Sequence, residues 1–557
     1  MTVTPSNSEQ HANQAVEADT PDRLDEVLSS DLNGKNGSSA GVSSGNLRRA
    51  GRSVQWKVLG SAAERGLNIL SLMVMVRLVT KAEYGIVGIA TIAFALVGMM
   101  RDLGISEAII RSPEASRRFL NTCFWVRMGV GVGLYLILVI VAAPFAWAYE
   151  RPILFPMLLV MGSTYILDAL PTVQESILIR EFRVGSATLA RVGSLLIGIL
   201  CGVWAAWNGW GAWALIINVV VATSSSILLL APFVRWWPGL AIERKEIKHL
   251  FKFGGNLTLT QFFGWFTESF GLAVLGMIDT DARVGIFRNA AVIGRWPDSL
   301  LASVLGRGLA VSFFAKVQGD EEGMKVALRR ATNILYLFGL PLGALILVMT
   351  PPLISVVYGS NWMEVVPYAR VIVIGGTALM IRQTLRYWLI ASGWSGSLSR
   401  NQILTACVAV PVILIGAWYG LIGVTIGTTL ACVVESVFLW FANRGRTGTN
   451  QESWFFAYWR PIVISIMVGV GLWLFSNSFP WWGEQFFHHL ATGTLRGLLT
   501  PERLQAFANG FVPFTQLMLG MFVGGVVWLG STYWLMPDEL EFLRHMLGIR
   551  RPRGRNG

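Results

Sequence analysis

Residues 80–90 read TKAEYGIVGIA, and residues 280–290 read TDARVGIFRNA, two hundred residues further along the chain. Each segment joins one long apolar stretch to the next. A second pair of similar segments follows in the same order, WNGWGA at 207–212 and WYGLIG at 418–423. Many secondary transporters consist of two related helix bundles around a shared site near the membrane midplane. The repeat therefore predicts two pseudo-symmetric bundles. The positions that coincide without a gap are Thr80/Thr280, Ala82/Ala282, Gly85/Gly285, Ile86/Ile286 and Ala90/Ala290.

The composition is that of a membrane protein. Hydrophobic residues make up 53% of the chain and charged residues only 14%, whereas a soluble protein carries roughly 25% charged residues. The apolar runs repeatedly reach the ~20 residues that a helix needs to cross a bilayer. The net charge of +12 resides largely in short loops between these runs, which indicates topology rather than nucleic-acid binding. The sequence therefore predicts an all-α polytopic membrane protein.

Fourteen transmembrane helices are predicted, arranged as two six-helix lobes at 57–232 and 252–442 plus two C-terminal helices within 460–535. Residues 1–50 are polar and predict a disordered cytoplasmic tail, and residues 536–557 predict a basic cytoplasmic tail. The predicted spans are 57–79, 84–100, 120–148, 152–171, 185–207, 210–232, 252–278, 284–312, 331–350, 366–390, 401–418, 420–442, 460–477 and 511–535.

Charge bias predicts the orientation. Alternate loops are rich in Arg and Lys, as the positive-inside rule requires of cytoplasmic loops. Both termini are therefore expected in the cytoplasm, which an even number of spans satisfies. Segment 478–510 is then external, and its aromatic residues predict that it lies in the membrane interface. Within it, Thr500 followed by Pro501 is typical of a helix start.

The sequence contains no pattern typical of catalysis. The histidines show no metal-ligand spacing, the four cysteines lie in or beside apolar segments without paired spacing, and no phosphate-binding glycine loop is followed by Lys and Ser or Thr. We therefore predict that the chain is not an enzyme and has no catalytic residues, metal site or cofactor.

Ionisable residues inside spans indicate function, because a charge in hydrocarbon is costly and usually faces a wet cavity. Span 1 carries Glu64, Arg65 and Asn68, which belong to a polar stripe on one helix face. Span 7, the counterpart of span 1, carries Glu268, two hundred residues after Asn68.

Span 8 carries Arg288, Arg295 and Asp298, and the seven-residue spacing places the two arginines on one face. Together with Arg65 they predict a ladder of cations across the membrane, suited to phosphate because guanidinium donates bidentate hydrogen bonds. These residues, with Glu64, Asn68 and Glu268, form the predicted substrate site. The alternative is purely structural pairing, Glu64 with Arg65 and Arg295 with Asp298.

Several other polar or charged residues are not part of the predicted substrate site. Arg77 and Arg127 lie nearer span ends, where long side chains snorkel towards water. Arg382 and Arg386, one turn apart in span 10, form a secondary candidate site. Asp168, Gln174, Glu175 and Glu435 have no assigned role.

The stretch from Arg77 to Arg111, RLVTKAEYGIVGIATIAFALVGMMRDLGISEAIIR, resembles the opening of polysaccharide-repeat flippases. In that family an Arg-Leu-Leu-Thr-Pro-like turn precedes Tyr-Gly, and Asp-Leu-Gly follows the second span; Lys81 departs from the frequent proline. Residues 284–301 and 357–362 resemble second-half motifs, and the resemblance covers about 57–445. The matching residues are Arg77, Leu78, Thr80, Tyr84, Gly85, Asp102, Leu103 and Gly104.

This family belongs to the multidrug/oligosaccharidyl-lipid/polysaccharide exporter superfamily. The resemblance implies two six-helix lobes, often with two further C-terminal helices, around a cationic cavity. It also implies transfer of undecaprenyl-pyrophosphate-linked oligosaccharide across a bacterial inner membrane, for exopolysaccharide, capsule or O-antigen synthesis. Membrane lipid, a coupling ion (H⁺ or Na⁺), a polysaccharide polymerase and the export machinery are the expected partners, and nucleic acid is not.

Three alternative functions remain open. A drug or small-molecule antiporter would share the superfamily, although cation exporters favour lone carboxylates and arginines predominate in spans 1 and 8. A membrane glycan polymerase or ligase would need a large external loop, and segment 478–510 is short and apolar. A non-transporting scaffold is the third alternative.

Overall fold

The computed structural model describes residues 44–101, 104–111, 116–240, 262–304, 321–392, 394–447, 459–479 and 501–537. The chain forms two compact units, Met1–Val54 and Gln55–Gly557. The contacts given below lie in the second unit. The predicted polar tail, except residues from Ser44 onwards, and nearly all of the basic C-terminal tail lie outside the described residues.

The described residues of the first lobe form eight helices, because two of its spans are interrupted. Span 2 continues as the short helix α3, and span 4 is divided at Asp168 into α5 and α6. The helices are α1 (Ser44–Leu78), α2 (Lys81–Gly98), α3 (Ile105–Arg111), α4 (Arg117–Ala148), α5 (Leu154–Leu167), α6 (Ala169–Arg180), α7 (Val184–Trp207) and α8 (Ala212–Leu230).

The second lobe repeats this order within its described residues. Its second span is also divided, at Arg295, into α10 and α11. The helices are α9 (Phe262–Ile278), α10 (Asp281–Gly294), α11 (Trp296–Val304), α12 (Glu321–Val357), α13 (Val366–Ala391), α14 (Ser395–Ala417) and α15 (Gly420–Thr447). The C-terminal helices are α16 (Trp459–Phe479) and α17 (Pro501–Leu535).

The all-α, multi-span fold class is confirmed. The described residues contain helices and no β-strand, and 12 helical segments are long and apolar enough to cross a membrane. Predicted span 7 corresponds to the shorter apolar helix α9, and predicted span 8 to the divided pair α10 and α11. The count of fourteen stays a prediction.

Helix α17 begins at Pro501, where the Thr-Pro signal predicts a start. It continues to Leu535 as one helix, so residues 501–510 form the first turns of the last helix rather than a separate interfacial helix. Residues 480–500 of the predicted external segment lie outside the described residues.

The two copies of the repeated segment cross each other where α2 and α10 begin. A Cβ atom on Gly85 would lie 1.9 Å from the carbonyl oxygen of Asp281, and one on Gly285 would lie 2.0 Å from that of Lys81. No larger residue fits between these backbones, which explains glycine at both matching positions. The reciprocal contact is what a pseudo-two-fold axis between the lobes produces.

The largest buried apolar cluster surrounds this crossing and draws on both lobes. From the first lobe it includes Ile89 and Ala90, and from the second Val284 and Ala290, all without measurable exposure. The apolar faces of the two helices therefore pack against each other for more than one turn beyond the glycines.

Candidate substrate site

The site develops around the interruption between α10 and α11. Arg295 lies at the end of α10 with φ −92° and ψ 1°, and α11 resumes at the next residue. Gly376 of α13 approaches so closely that a Cβ atom there would lie 2.0 Å from the carbonyl oxygen of Gly294. Interrupted helices at membrane depth are typical of transporter binding sites, since their free backbone groups line a cavity.

Arg295 forms its ion pair with the helix next to it rather than with Asp298. Its Nη2 atom donates to the carbonyl oxygen of Glu268 at 2.7 Å, and its Nη1 atom lies 3.5 Å from the Glu268 carboxylate. The Asp298 carboxylate instead accepts from Nε2 of Gln383 at 2.8 Å. The alternative pairing of Arg295 with Asp298 is therefore wrong.

Arg65 reaches this same turn from the opposite lobe. Its Nη2 atom donates to the carbonyl oxygen of Ser299 at 2.8 Å. The backbone N–H of Ser299 in turn donates to the carbonyl oxygen of Arg295 at 3.0 Å. The first turn of α11 therefore begins at the Arg295 backbone and accepts the Arg65 side chain of the other lobe, and Asp298 lies within that turn.

Glu64 also has a partner other than its sequence neighbour. Nε of Arg191, in α7, lies 3.1 Å from the Glu64 carboxylate, and Nη1 of Arg191 donates to Glu175 at 3.1 Å. In the structure Glu64 therefore pairs with Arg191, and the alternative pairing with Arg65 is not formed. Asn68 is exposed on the same helix.

Arg191 is a residue that the sequence analysis missed. It lies seven residues after the start of α7, inside a predicted span, and more than half of its side chain is exposed. An arginine at that depth is itself a signal of function. It joins Glu64 on α1 to Glu175 on α6 and so holds the helix that presents Arg65.

Arg288 lies apart from these residues. Its Nη1 atom donates to the carbonyl oxygen of Tyr84 at 2.9 Å, and its guanidinium lies 5.8 Å from the Tyr84 ring centroid. This places Arg288 in the contact between the lobes, near the glycine crossing. The predicted ladder of three arginines stays a prediction, and Arg288 is a half-buried contact residue between the lobes.

Two further arginines form ion pairs inside their lobes. Arg127, predicted to snorkel, is instead buried, with Nη2 2.7 Å from the Asp168 carboxylate, which also lies 3.4 Å from Arg101. Arg382 of the secondary candidate site is buried in contact with Glu435. The Glu435 carboxylate also accepts from Nε2 of Gln402 at 2.5 Å.

Fold and site together define a two-lobed helical membrane protein in which Arg65 of the first lobe contacts the turn that follows Arg295 of the second. A sequence profile of the family described as "Polysaccharide biosynthesis protein" matches residues 74–367, which is 294 of 557 residues. The chain belongs to this family, and the predicted family is confirmed.

Two curated relatives have similar sequences over most of the chain. The "Lipopolysaccharide biosynthesis protein WzxC" of Escherichia coli (strain K12) is 21% identical over 416 residues, covering 74% of this chain and 84% of the relative. The "Succinoglycan biosynthesis transport protein ExoT" of Rhizobium meliloti (strain 1021) is 20% identical over 516 residues, covering 91% of this chain and 97% of the relative.

Two solved structures share the fold. "Lipid II flippase MurJ, inward closed conformation" has a TM-score of 0.62 at 14% identity, covering 87% of this chain and all of that one. An inward-facing multidrug resistance MATE family transporter of the MOP superfamily has a TM-score of 0.57 at 15% identity, covering 69% of this chain and 94% of that one. At these identities the likeness establishes the fold alone.

Proposed function

We propose that the chain translocates oligosaccharide repeat units, linked to undecaprenyl pyrophosphate, across the bacterial inner membrane for exopolysaccharide, capsule or O-antigen synthesis. The family supports this, as do relatives whose names specify lipopolysaccharide and succinoglycan biosynthesis, the latter with transport. Both termini would be cytoplasmic, as the loop charges predict.

One observation carries the proposal: Arg65 of the first lobe bonds to the Ser299 carbonyl oxygen in α11, one turn after Arg295 of the second lobe, whose guanidinium bonds to Glu268 of α9. Both guanidinium groups bond to backbone carbonyl oxygens, which are neutral acceptors. A phosphate oxygen is a stronger acceptor for guanidinium because charge-assisted hydrogen bonds are roughly twice as strong as neutral ones. A pyrophosphate offers one phosphoryl group to each arginine, so binding would connect the two lobes through the substrate.

Transport would proceed by alternating access, in which the two lobes rock around this site. The glycan would occupy the wet space between the lobes, while the lipid tail stays in the bilayer. An ion gradient (H⁺ or Na⁺) or the substrate gradient would supply the energy. The polysaccharide polymerase and export machinery would act on the product outside.

A drug or small-molecule antiporter is the competing proposal, because MATE transporters have the same fold. An antiporter for organic cations would need carboxylates that attract its substrate. Here the carboxylates of Glu268, Glu64 and Glu175 each lie within 3.5 Å of an arginine nitrogen. The surplus guanidinium of Arg65 favours an anionic substrate.

The test is polymer export in cells that depend on variants of this protein. Arg295→Gln keeps the hydrogen bond to the Glu268 backbone possible but removes the charge, and export should fall by about tenfold or more. Arg295→Lys keeps the charge without the planar fork and should be intermediate.

Arg400→Gln is the matched control, because Arg400 is exposed and lies outside the site. Its export should equal that of the parent protein, with the amount in the membrane measured for every variant. If Glu268→Gln fully restored export to Arg295→Gln, the arginine would serve only to neutralise Glu268, and the substrate-binding role would be rejected.

A further inference from the structure

The two lobes are tied together at the end of the molecule that the loop charges place outside. Positions 81 and 281 are equivalent in the repeat, and each forms an ion pair across the lobes with opposite polarity. Asp281 pairs with Arg151, which follows α4, and Lys81 pairs with Glu364, which precedes α13. We call these pairs the Arg151 arm and the Lys81 arm.

The Arg151 arm is densely bonded. Nε of Arg151 lies 2.5 Å from the Asp281 carboxylate. Its Nη atoms donate to the carbonyl oxygens of Gly276 at 3.0 Å and Asp279 at 3.3 Å, where α9 ends. The last carbonyl groups of a helix lack partners within the helix and carry partial negative charge. Arg151 of the first lobe therefore caps the C-terminus of a helix in the second lobe.

Tyr149 strengthens this arm from the same loop. Its phenol donates to the carbonyl oxygen of Ala273 at 3.1 Å. Burial raises the pKa of Tyr149 to about 12, so the phenol keeps the proton that it donates.

The Lys81 arm is sparse in comparison. Nζ of Lys81 lies 3.0 Å from the Glu364 carboxylate, whose side chain is 66% exposed. The helix that ends beside it, α1, has its Val76 carbonyl bonded by the neutral Nε1 of Trp362 at 3.2 Å. An exposed pair of this kind contributes little, because water competes for both charges.

We propose that Arg151 is the positioning residue that locks the external end of the molecule closed, and that the Lys81 arm has no such role. When the lobes separate at this end, the α9 carbonyls and Asp281 lose their partner, and the guanidinium loses three acceptors at once. Separation on the Lys81 side releases the exposed Lys81–Glu364 pair and two single bonds to carbonyl oxygens, from Trp362 to Val76 and from Arg77 to Val356, each at 3.2 Å. This inference rests on the alternating access of the proposed function.

The experiment measures how often the external end opens. A single reporter, Ala90→Cys, is placed in a chain whose four native cysteines are replaced by alanine. Ala90 is fully buried between the lobes, five residues and roughly 7.5 Å below the glycine crossing. A membrane-impermeant maleimide is then added to the external side of intact cells, and to inverted vesicles for the cytoplasmic side.

Arg151→Gln should raise the external labelling rate about tenfold or more, the shift in population that loss of a charge-assisted hydrogen bond produces. Glu364→Gln, the matched change in the other arm, should raise it less than about threefold. Asp281→Asn keeps the size of the side chain, and its external labelling rate should fall between those of Arg151→Gln and Glu364→Gln. It takes the place of Arg151→Gln in the comparison if that variant yields no folded protein. The charge swap Arg151→Glu with Asp281→Arg should restore the parent rate only in part, because it does not restore the helix cap.

Equal external rates for Arg151→Gln and the parent protein, or equal increases for the two arms, would overturn the proposal. An increase in the labelling rate from the cytoplasmic side alone would also overturn the proposal. The labelling rate reports opening of the external end and not export, so a negative labelling result would leave the export result for Arg295 standing, and the two proposals fail separately.

Discussion

Two arginines of the second lobe, Arg382 and Arg295, each lie beside a glutamate but in opposite surroundings. Arg382 has a side chain 5% exposed and its partner Glu435 is 1% exposed, whereas Arg295 is 27% and Glu268 51% exposed. The first pair lies inside the lobe and joins α13 to α15. The second lies at the interruption between α10 and α11, one turn before the Ser299 carbonyl oxygen that Arg65 of the other lobe contacts. Both pairs consist of an arginine and a glutamate, so they differ only in burial. The buried pair is structural, and the exposed pair is open to a ligand.

This difference has an energetic consequence. Removing one member of a buried pair leaves the other charge without compensation and costs about 3–5 kcal/mol. A half-exposed pair is screened by water and contributes about 0–1 kcal/mol. The exposed pair can therefore exchange partners with an anionic ligand at little cost, while the buried one cannot.

The largest predicted effect on stability is that of Arg382→Gln. Because Glu435 would then be buried without its guanidinium, the free energy of unfolding should fall by about 3–5 kcal/mol. Thermal unfolding of the detergent-solubilised protein, followed by tryptophan fluorescence, measures this. The double variant Arg382→Met with Glu435→Leu should recover most of the loss. A single variant as stable as the parent would remove the distinction between the two pairs.

The next effect concerns the helix contact that holds Arg295 in place. Gly376→Ala puts a methyl group against the Gly294 carbonyl oxygen, and overpacking of this kind costs about 1–3 kcal/mol. The same thermal unfolding measurement applies. Gly396→Ala is the control, because a Cβ atom there meets nothing within 4 Å. Equal stability of the two variants would show that α13 does not fix the interruption.

The smallest effect on stability is expected for Arg295→Gln. Its pair with Glu268 is exposed, so the free energy of unfolding should change by less than about 1 kcal/mol after discounting for solvent. Export by the same variant should nevertheless fall. A loss of stability as large as that of Arg382→Gln would instead identify Arg295 as a structural residue.

Much of the fold could be predicted from the sequence because the repeat and the apolar runs are local signals. Gly85 and Gly285 coincide in the repeat, and the structure brings them to one crossing. Arg65 and Arg295 are charges within predicted spans, which periodicity and predicted depth indicate without knowledge of their partners. These parts of the analysis depend only on short segments.

Partner assignments could not be predicted because they join distant parts of the chain. The Arg65 guanidinium bonds to a carbonyl 234 residues away, and Arg382 and Glu435 are separated by 53 residues. A backbone carbonyl acceptor carries no sequence signal. The position of Arg127 near a span end predicts snorkelling, yet Asp168, at the interruption of span 4, pairs with it inside the lobe.

The central claim is that Arg65 and Arg295 hold one pyrophosphate between the lobes. A double-mutant cycle tests it most directly, using purified protein in proteoliposomes and the initial rate of translocation of undecaprenyl-pyrophosphate-linked glycan. Arg65→Gln and Arg295→Gln should each slow translocation about tenfold, and the double variant should be little slower than either, a coupling of about 1 kcal/mol or more. Independent effects that multiply to about a hundredfold would contradict a shared ligand.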